Sequence, residues 1–334
     1  MRTRRLGPFE VGSIGLGCMS LSHAYGIPPS PEDAAAVLRR AVELGVTHVD
    51  TAALYGFGAN ERLVGQVLSA ERDRFVLASK CGMLGVDGKR VIDGRPEVLI
   101  RTCDEALARL RTDVIDVYYL HRWDKTVPVE ESIGALGELV AQGKIRAIGI
   151  SEVSADTLRR AHATHPIAAL QNEYSLWSRN PELGTLEACR ELGIALVAFS
   201  PLGRGFLTGR LTDVSALPAN DIRRFMPRFE PSTYAANLAV LGPFQALAQE
   251  AGVLPGQLAL AWLLAQDEGI LPIPGTTNLA HLAENVAAAD LDVDPGVLAR
   301  AGEIVNQATV IGERYNAATQ REIDTEQFPA PAHA

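Results

Sequence analysis

The sequence predicts an α/β protein built as a (β/α)8 TIM barrel, with a short N-terminal β-hairpin and long loops at the C-terminal face. Three observations carry this. About eight apolar, β-rich runs alternate with helical segments; the helices are punctuated in one repeating way; and reactive side chains stand where successive strands end, the place where such barrels build their sites.

Taken in order, residues 1–13 read as the hairpin, MRTRR against FEVGSI, since the basic start leads into no apolar signal core. The strands follow as SIGLG, THVDT, FVLASK, VIDVYYLH, IRAIGIS, ALQNEYS, ALVAFS and LPIPG. Ser30 before Pro31, Glu32 and Asp33 supplies an N-cap, a first-turn proline and acidic residues suited to the helix dipole of AAAVLRRAVEL. Gly45, Gly143, Gly193 and Gly269 each precede a strand, where a left-handed C-cap belongs. Such regular punctuation predicts one domain over residues 1–334, with a flexible tail from about 322 to 334 that ends FPAPAHA. The rival doubly wound dinucleotide fold needs a third glycine opening a helix, but Gly15-Leu16-Gly17 runs on into Cys18, Met19 and Ser20.

Composition narrows the function classes. At 334 residues, 47% hydrophobic and 21% charged, the chain is long enough for a sizeable core. A formal charge of −9 without dense Lys/Arg blocks argues against nucleic acid. LALAWLLA is too short to cross a bilayer, so a cytoplasmic protein acting on small molecules is expected. Oligomeric state leaves no signal. Cys18, Cys81, Cys103 and Cys189 lie far apart without CxxC pairing, and read as small buried hydrophobes. His48 and Asp50 raise the thought of a metal hydrolase, but His-x-Asp is a poor match to a two-histidine pair, and no metal is expected.

Asp50, Tyr55, Lys80 and His121 stand at or just beyond the ends of three successive predicted strands. A tyrosine loses its proton at about pH 10 and needs a nearby cation to serve as an acid near neutrality, which Lys80 can supply. A lysine at the mouth of an apolar barrel needs a carboxylate in turn, and Asp50 lies one strand over. His121 completes a donor pair with Tyr55 around a substrate oxygen. Singly, each has an ordinary reading as a turn cap, a packed ring, a solvated strand end or a core histidine; jointly, they point to proton and hydride chemistry.

At this point the chain resembles the aldo-keto reductase superfamily. GLGCMS, HVDTAALYG with NERLVG, ASK, YYLH, IGISE, LQNEYSLW, AFSPLGRGFLTGR and IPGTTNLAHLAENV occur in the family's order over nearly the whole chain. Their form is most similar to the branch of pyridoxal reductase-like and perakine reductase-like enzymes. The resemblance implies reduction of aldehydes or ketones by NADPH, with Tyr55 as proton donor, Lys80 tuning it, Asp50 holding Lys80 and His121 polarising the carbonyl.

The resemblance also assigns cofactor contacts. Ser151 and Gln171 match positions that bind the nicotinamide carboxamide, Tyr174 the aromatic that stacks on its ring, and Glu152 a position where many relatives have asparagine. Gly17 lies in the first turn. Ser200, Pro201, Leu202, Gly203 and Gly205 match the loop along the pyrophosphate, with Arg204 and Arg210 adding charge. Gly275, Thr276, Asn278 and His281 match the 2′-phosphate site, and Glu284 and Asn285 the adenine site. Lysine and arginine stand in the best-known family form where this chain has Gly275 and His281, so NADPH is expected to be preferred over NADH by a smaller margin. Trp123, Tyr25, Phe225 and Met226 are the expected substrate-pocket residues, with Phe229 and Tyr315 nearby and the segment from Leu211 to Thr233 as a lid. The alternative implied by the resemblance is an NADPH-binding, redox-sensing regulatory subunit with little turnover.

Overall fold

In the computed structural model, which describes residues 1–329, all eight expected runs form strands of one curled parallel sheet. In chain order they are β1 (Leu16–Gly17), β2 (His48–Asp50), β3 (Val76–Cys81), β4 (Ile115–Leu120), β5 (Ile145–Ser151), β6 (Ile167–Glu173), β7 (Ala195–Phe199) and β8 (Ile270–Pro272). Each pairs with the next, so that Asp50 lies beside Gly17 and Ala78, Lys80 beside Tyr119, and Gln171 beside Ser151 and Val197. Gly15 N–H donates to Pro272 O at 3.0 Å, closing the first strand onto the last. The fold is a (β/α)8 barrel.

Alternation along each strand splits the core in two. Ala78, Val117, Tyr119, Ala147, Ala169, Ala195, Val197 and Leu271 point inward, where the hairpin Thr3–Leu6/Phe9–Gly12 adds Leu6 and Val11. Tyr118, Leu120, Ile148, Ile150 and Leu170 point outward, under the helices. The same parity decides what reaches the rim. Counting on by two from buried interior positions gives Asp50, Lys80, His121, Ser151, Gln171 and Phe199.

The helix signals hold with one exception. Ser30 accepts the Asp33 N–H at 3.1 Å and caps the helix Pro31–Glu43. Gly45, Gly143 and Gly193 are left-handed, at φ +84°, +74° and +67°. Gly269 is not. The helix Pro255–Gln266 stops at an extended Asp267, whose carboxylate accepts the Gly269 N–H at 2.7 Å and makes the turn itself.

Two segments depart from expectation. A second hairpin, Met83–Val86 with Lys89–Ile92, follows β3; its turn residues Asp87 and Gly88 both have positive φ, as a tight two-residue connection requires. The stretch from 322, expected as a flexible tail, is docked through Glu326. Ile323 is buried, Asp324 accepts from Ser154 Oγ at 2.8 Å and Thr157 Oγ1 at 2.7 Å, and Glu326 accepts from Ala155 N at 2.7 Å, so its carboxylates cover the start of the helix Ala155–Thr164. Residues 330–334 of the expected tail lie outside the described residues. Among the described residues no helix is long and apolar enough to cross a membrane.

Candidate active site

Asp50, Tyr55, Lys80 and His121 converge at the C-terminal ends of β2 to β4. Lys80 is fully buried, and its ammonium has three protons to place. One goes to the Asp50 carboxylate, one to Thr51 O at 2.8 Å, and one to the Tyr55 hydroxyl oxygen at 3.3 Å. Gln171 Nε2 donates to the second Asp50 oxygen at 2.8 Å, so both carboxylate oxygens are engaged. Because Tyr55 accepts from Lys80, its own O–H proton is left to point elsewhere. The His121 ring stands edge-on to the Tyr55 ring, with centroids 5.8 Å apart.

The electrostatics follow from burial and neighbours. Burial pushes the Tyr55 phenol above its usual value, and Lys80 pulls against that shift without cancelling it, so the group is a protonated phenol at neutrality. Burial, with Lys80 and Arg122 nearby, holds His121 well below its ordinary value and therefore neutral. Burial alone would depress Lys80; Asp50, with Tyr55, outweighs it and keeps the ammonium charged.

The loop carrying Tyr55 is fixed from beneath. Asn60, fully buried at the start of the helix Ala59–Leu68, accepts from Thr51 Oγ1 at 2.6 Å and donates to Cys18 O and Ser22 Oγ, each at 2.9 Å. Its neighbour Glu61 accepts from Ser79 Oγ at 2.6 Å and pairs with Arg109 at 2.6 Å. These are the NE of NERLVG, residues that sequence reasoning quoted without giving them work.

A cleft of 710 Å³ runs from this cluster across the barrel mouth to the helix Leu279–Ala287. Gly17, Ser151 and Gln171 line its floor; Ser200, Pro201, Leu202 and Gly205 line one wall; Arg210, Gly275, Thr276, His281 and Asn285 line its far end. Tyr25, Phe225 and Met226 also line the cleft. Part of the Leu211–Thr233 segment lines the cleft, and the segment is tied to the first loop, Ile222 N–H to Ala24 O and Asn220 Nδ2 to Gly26 O, both at 2.9 Å.

Six residues assigned to the cofactor or the pocket do not line the cleft, and neither does Phe229, expected nearby, which is buried against Trp177 and Tyr234. Tyr174 is fully buried on the outer side of β6, its O–H donating to Glu182 at 2.9 Å and its ring edge-on to Trp262. Glu152 is turned away to pair with Arg314 and to accept the Glu173 N–H at 3.1 Å. Trp123 donates to Val127 O at 2.8 Å and lies under Arg160. Gly203 packs against Trp177. Asn278 caps its helix, accepting from Ala280 N and His281 N at 2.8 and 3.1 Å. Glu284 holds Arg210 at 2.9 Å. Arg204 does reach the cleft, but Glu173 neutralises it at 2.8 Å while it donates to the Tyr25 and Tyr315 hydroxyls, so it adds no free charge to that wall.

The aromatic that does reach the cleft near Gln171 is Phe199, one residue before Ser200. Strand parity was the signal for it, since Val197 and Phe199 share the inward face of β7. Sequence reasoning also missed Arg122 and Arg223, which line the cleft. Among the described residues no group of three or more His, Cys, Asp or Glu side chains is placed to hold a metal.

The chain is similar to known proteins over most of its length. The chain is 40% identical over 336 aligned positions to the aldo-keto reductase yakc of Schizosaccharomyces pombe, named for NADP(+), an alignment covering 98% of each chain. It is 42% identical to a probable aldo-keto reductase 1 of Glycine max, over 92% of this chain and 89% of that one. Among solved structures, a glycerol dehydrogenase of Gluconobacter oxydans superposes with a TM-score of 0.84 at 25% identity, covering 94% of this chain and 98% of that one. An aldo/keto reductase of Klebsiella pneumoniae, in complex with NADP and acetate, does so with a TM-score of 0.71 at 28% identity and the same coverage. With a quartet of Asp50, Tyr55, Lys80 and His121 at the barrel mouth, and a match of residues 13–306 to the model of the Aldo/keto reductase family, the chain belongs to that family.

Proposed function

We propose that the protein reduces aldehydes or ketones to alcohols with NADPH, Tyr55 providing the proton. The observation that carries this is the saturation of Lys80: with its three protons on Asp50, Thr51 O and Tyr55 O, it leaves the phenol oriented as a donor into the cleft. A substrate carbonyl oxygen seated between Tyr55 and neutral His121 would meet two hydrogen-bond donors.

The cleft fits a dinucleotide. The helix Leu279–Ala287 presents its N-terminus at the far end, where Thr276, His281 and Arg210 also face in, a suitable setting for phosphate. Gly205, at φ +99°, has no neighbour closer than 3.6 Å to where a side chain would begin, and so keeps the backbone approachable. Phe199 offers a ring beside Ser151 and Gln171 for the nicotinamide to stack on. NADPH, when bound, supplies the hydride; the residues around it supply position, a proton and a water-poor pocket. With His281 neutral and Arg210 tied to Glu284, the preference over NADH is modest.

Multiple turnover tests this reading and separates it from a redox-sensing subunit. Oxidation of NADPH followed by absorbance, with a panel of aldehydes and ketones, is expected to continue over many equivalents per protein. Consumption that stops at one equivalent for every carbonyl would contradict it.

A further inference from the structure

Cations crowd the cleft, and nearly all of them are answered. Arg90 is paired with Glu322, Arg204 with Glu173, Arg210 with Glu284, Arg223 with Asp221 and Lys80 with Asp50. Arg122 is not. It follows His121 directly, is 8% exposed and lines the cleft, yet among the described residues no carboxylate lies within 4.0 Å of it. Its Nη1 donates to His121 O at 2.8 Å and reaches Ser151 Oγ at 3.4 Å, which fixes the guanidinium plane. Its Nε is buried with no acceptor, and Nη2 has none among the described residues either.

A buried guanidinium without a counter-ion is costly, and this one keeps its Nη2 protons free for an oxygen of a carboxylate. Its place decides whose carboxylate that is. The phosphate-suited end of the cleft, at Thr276, His281 and Arg210, lies with β8 and the helix after it, whereas Arg122 stands between β4 and β5, beside the proposed proton donors. Further out the wall turns apolar, through Leu54, Met83 and Phe225.

Resting on the carbonyl reductase reading, we infer that the preferred substrates are carbonyl compounds that carry a carboxylate, held by Arg122 while Tyr55 and His121 engage the carbonyl oxygen and an apolar body lies against the outer wall. Arg122 is then a specificity-determining residue and donates no proton.

The test uses matched aldehydes, benzaldehyde and its 2-, 3- and 4-carboxylated forms, with NADPH saturating, on the native protein and on Arg122→Met and Arg122→Lys. At least one carboxylated form should be preferred by the native protein. Arg122→Met should raise the KM for that form at least about 30-fold more than it raises the KM for benzaldehyde, the scale for truncating one partner of a buried charge pair. Arg122→Lys should recover part of the loss. Equal losses on benzaldehyde and on every carboxylated form would overturn the inference, as would a matching rise in the NADPH dissociation constant, measured by fluorescence, which would make Arg122 a cofactor contact. Failure of the native protein to turn over any of the four would instead strike the reductase reading beneath it.

Discussion

Lys80 Nζ lies 3.3 Å from the Tyr55 hydroxyl and 4.9 Å from the centre of its ring, so one buried cation faces both the oxygen and the π-system of the proposed acid. Lys80→Met should therefore damage both chemistry and fold. The phenol loses the group that restrains its pKa, and Asp50 becomes a buried carboxylate facing only Gln171. A stability loss of about 3–5 kcal/mol is expected by urea unfolding. Asp50→Asn added to Lys80→Met should restore part of it, and purely additive losses would show that the pair is not coupled.

The correction from Tyr174 to Phe199 is testable in one pair of variants. Phe199→Ala should raise the dissociation constant of NADPH about fivefold or more, since an aromatic stack contributes about 1 kcal/mol beyond its area. Tyr174→Phe should leave cofactor binding alone and cost about 1 kcal/mol of stability with the lost hydrogen bond to Glu182. Titration by fluorescence and urea unfolding together read both, and the reverse pattern would return the stacking role to Tyr174.

His281 lines the adenosine end of the proposed cofactor site; burial, with Arg210 beside it, lowers its pKa, so it brings no charge at neutrality. His281→Arg places a permanent cation there. The KM for NADPH should fall by about fivefold, the scale of a solvent-exposed ion pair, while that for NADH stays unchanged. The gain should shrink as salt is added. Equal effects on the two cofactors would place His281 away from the 2′-phosphate.

His48 sits inside the barrel, fully buried, with both ring nitrogens unpartnered, and burial drops its pKa from 6.5 to about 4. Between pH 6.5 and about 4 the unfolded chain carries a proton here that the folded protein refuses. Stability is thus full above pH 6.5, falls as the pH falls through this window, and stops falling on this account below about 4. The share due to His48 is about 3 kcal/mol. Unfolding of His48→Asn followed from pH 7 to 4 should show a shallower acid loss than the native protein; parallel curves would show that His48 does not titrate on unfolding.

The barrel and the quartet were legible because both are written in local sequence. Strand runs and caps announce the repeat, and the chemistry sits at strand ends. What escaped was decided elsewhere. Glu152 is claimed by Arg314, 162 residues on, and Trp123 by Arg160 on the helix that follows β5. No local pattern shows either. Other misses were readable. Tyr174 falls off the inward parity of Ala169 and Gln171 in β6, whereas Phe199 keeps the parity of Ala195 and Val197, so counting by two along β6 and β7 favours Phe199. The hairpin after β3 was likewise announced by Asp87-Gly88 between apolar alternations.

The most direct test is Tyr55→Phe, which keeps the ring and removes the hydroxyl that faces Lys80. With NADPH saturating and bound as tightly as by the native protein, kcat for an aldehyde should fall at least about 100-fold, the usual scale for a lost acid–base group. A folded Tyr55→Phe protein that still reduces the aldehyde at a near-native rate would contradict the assignment of Tyr55 as proton donor.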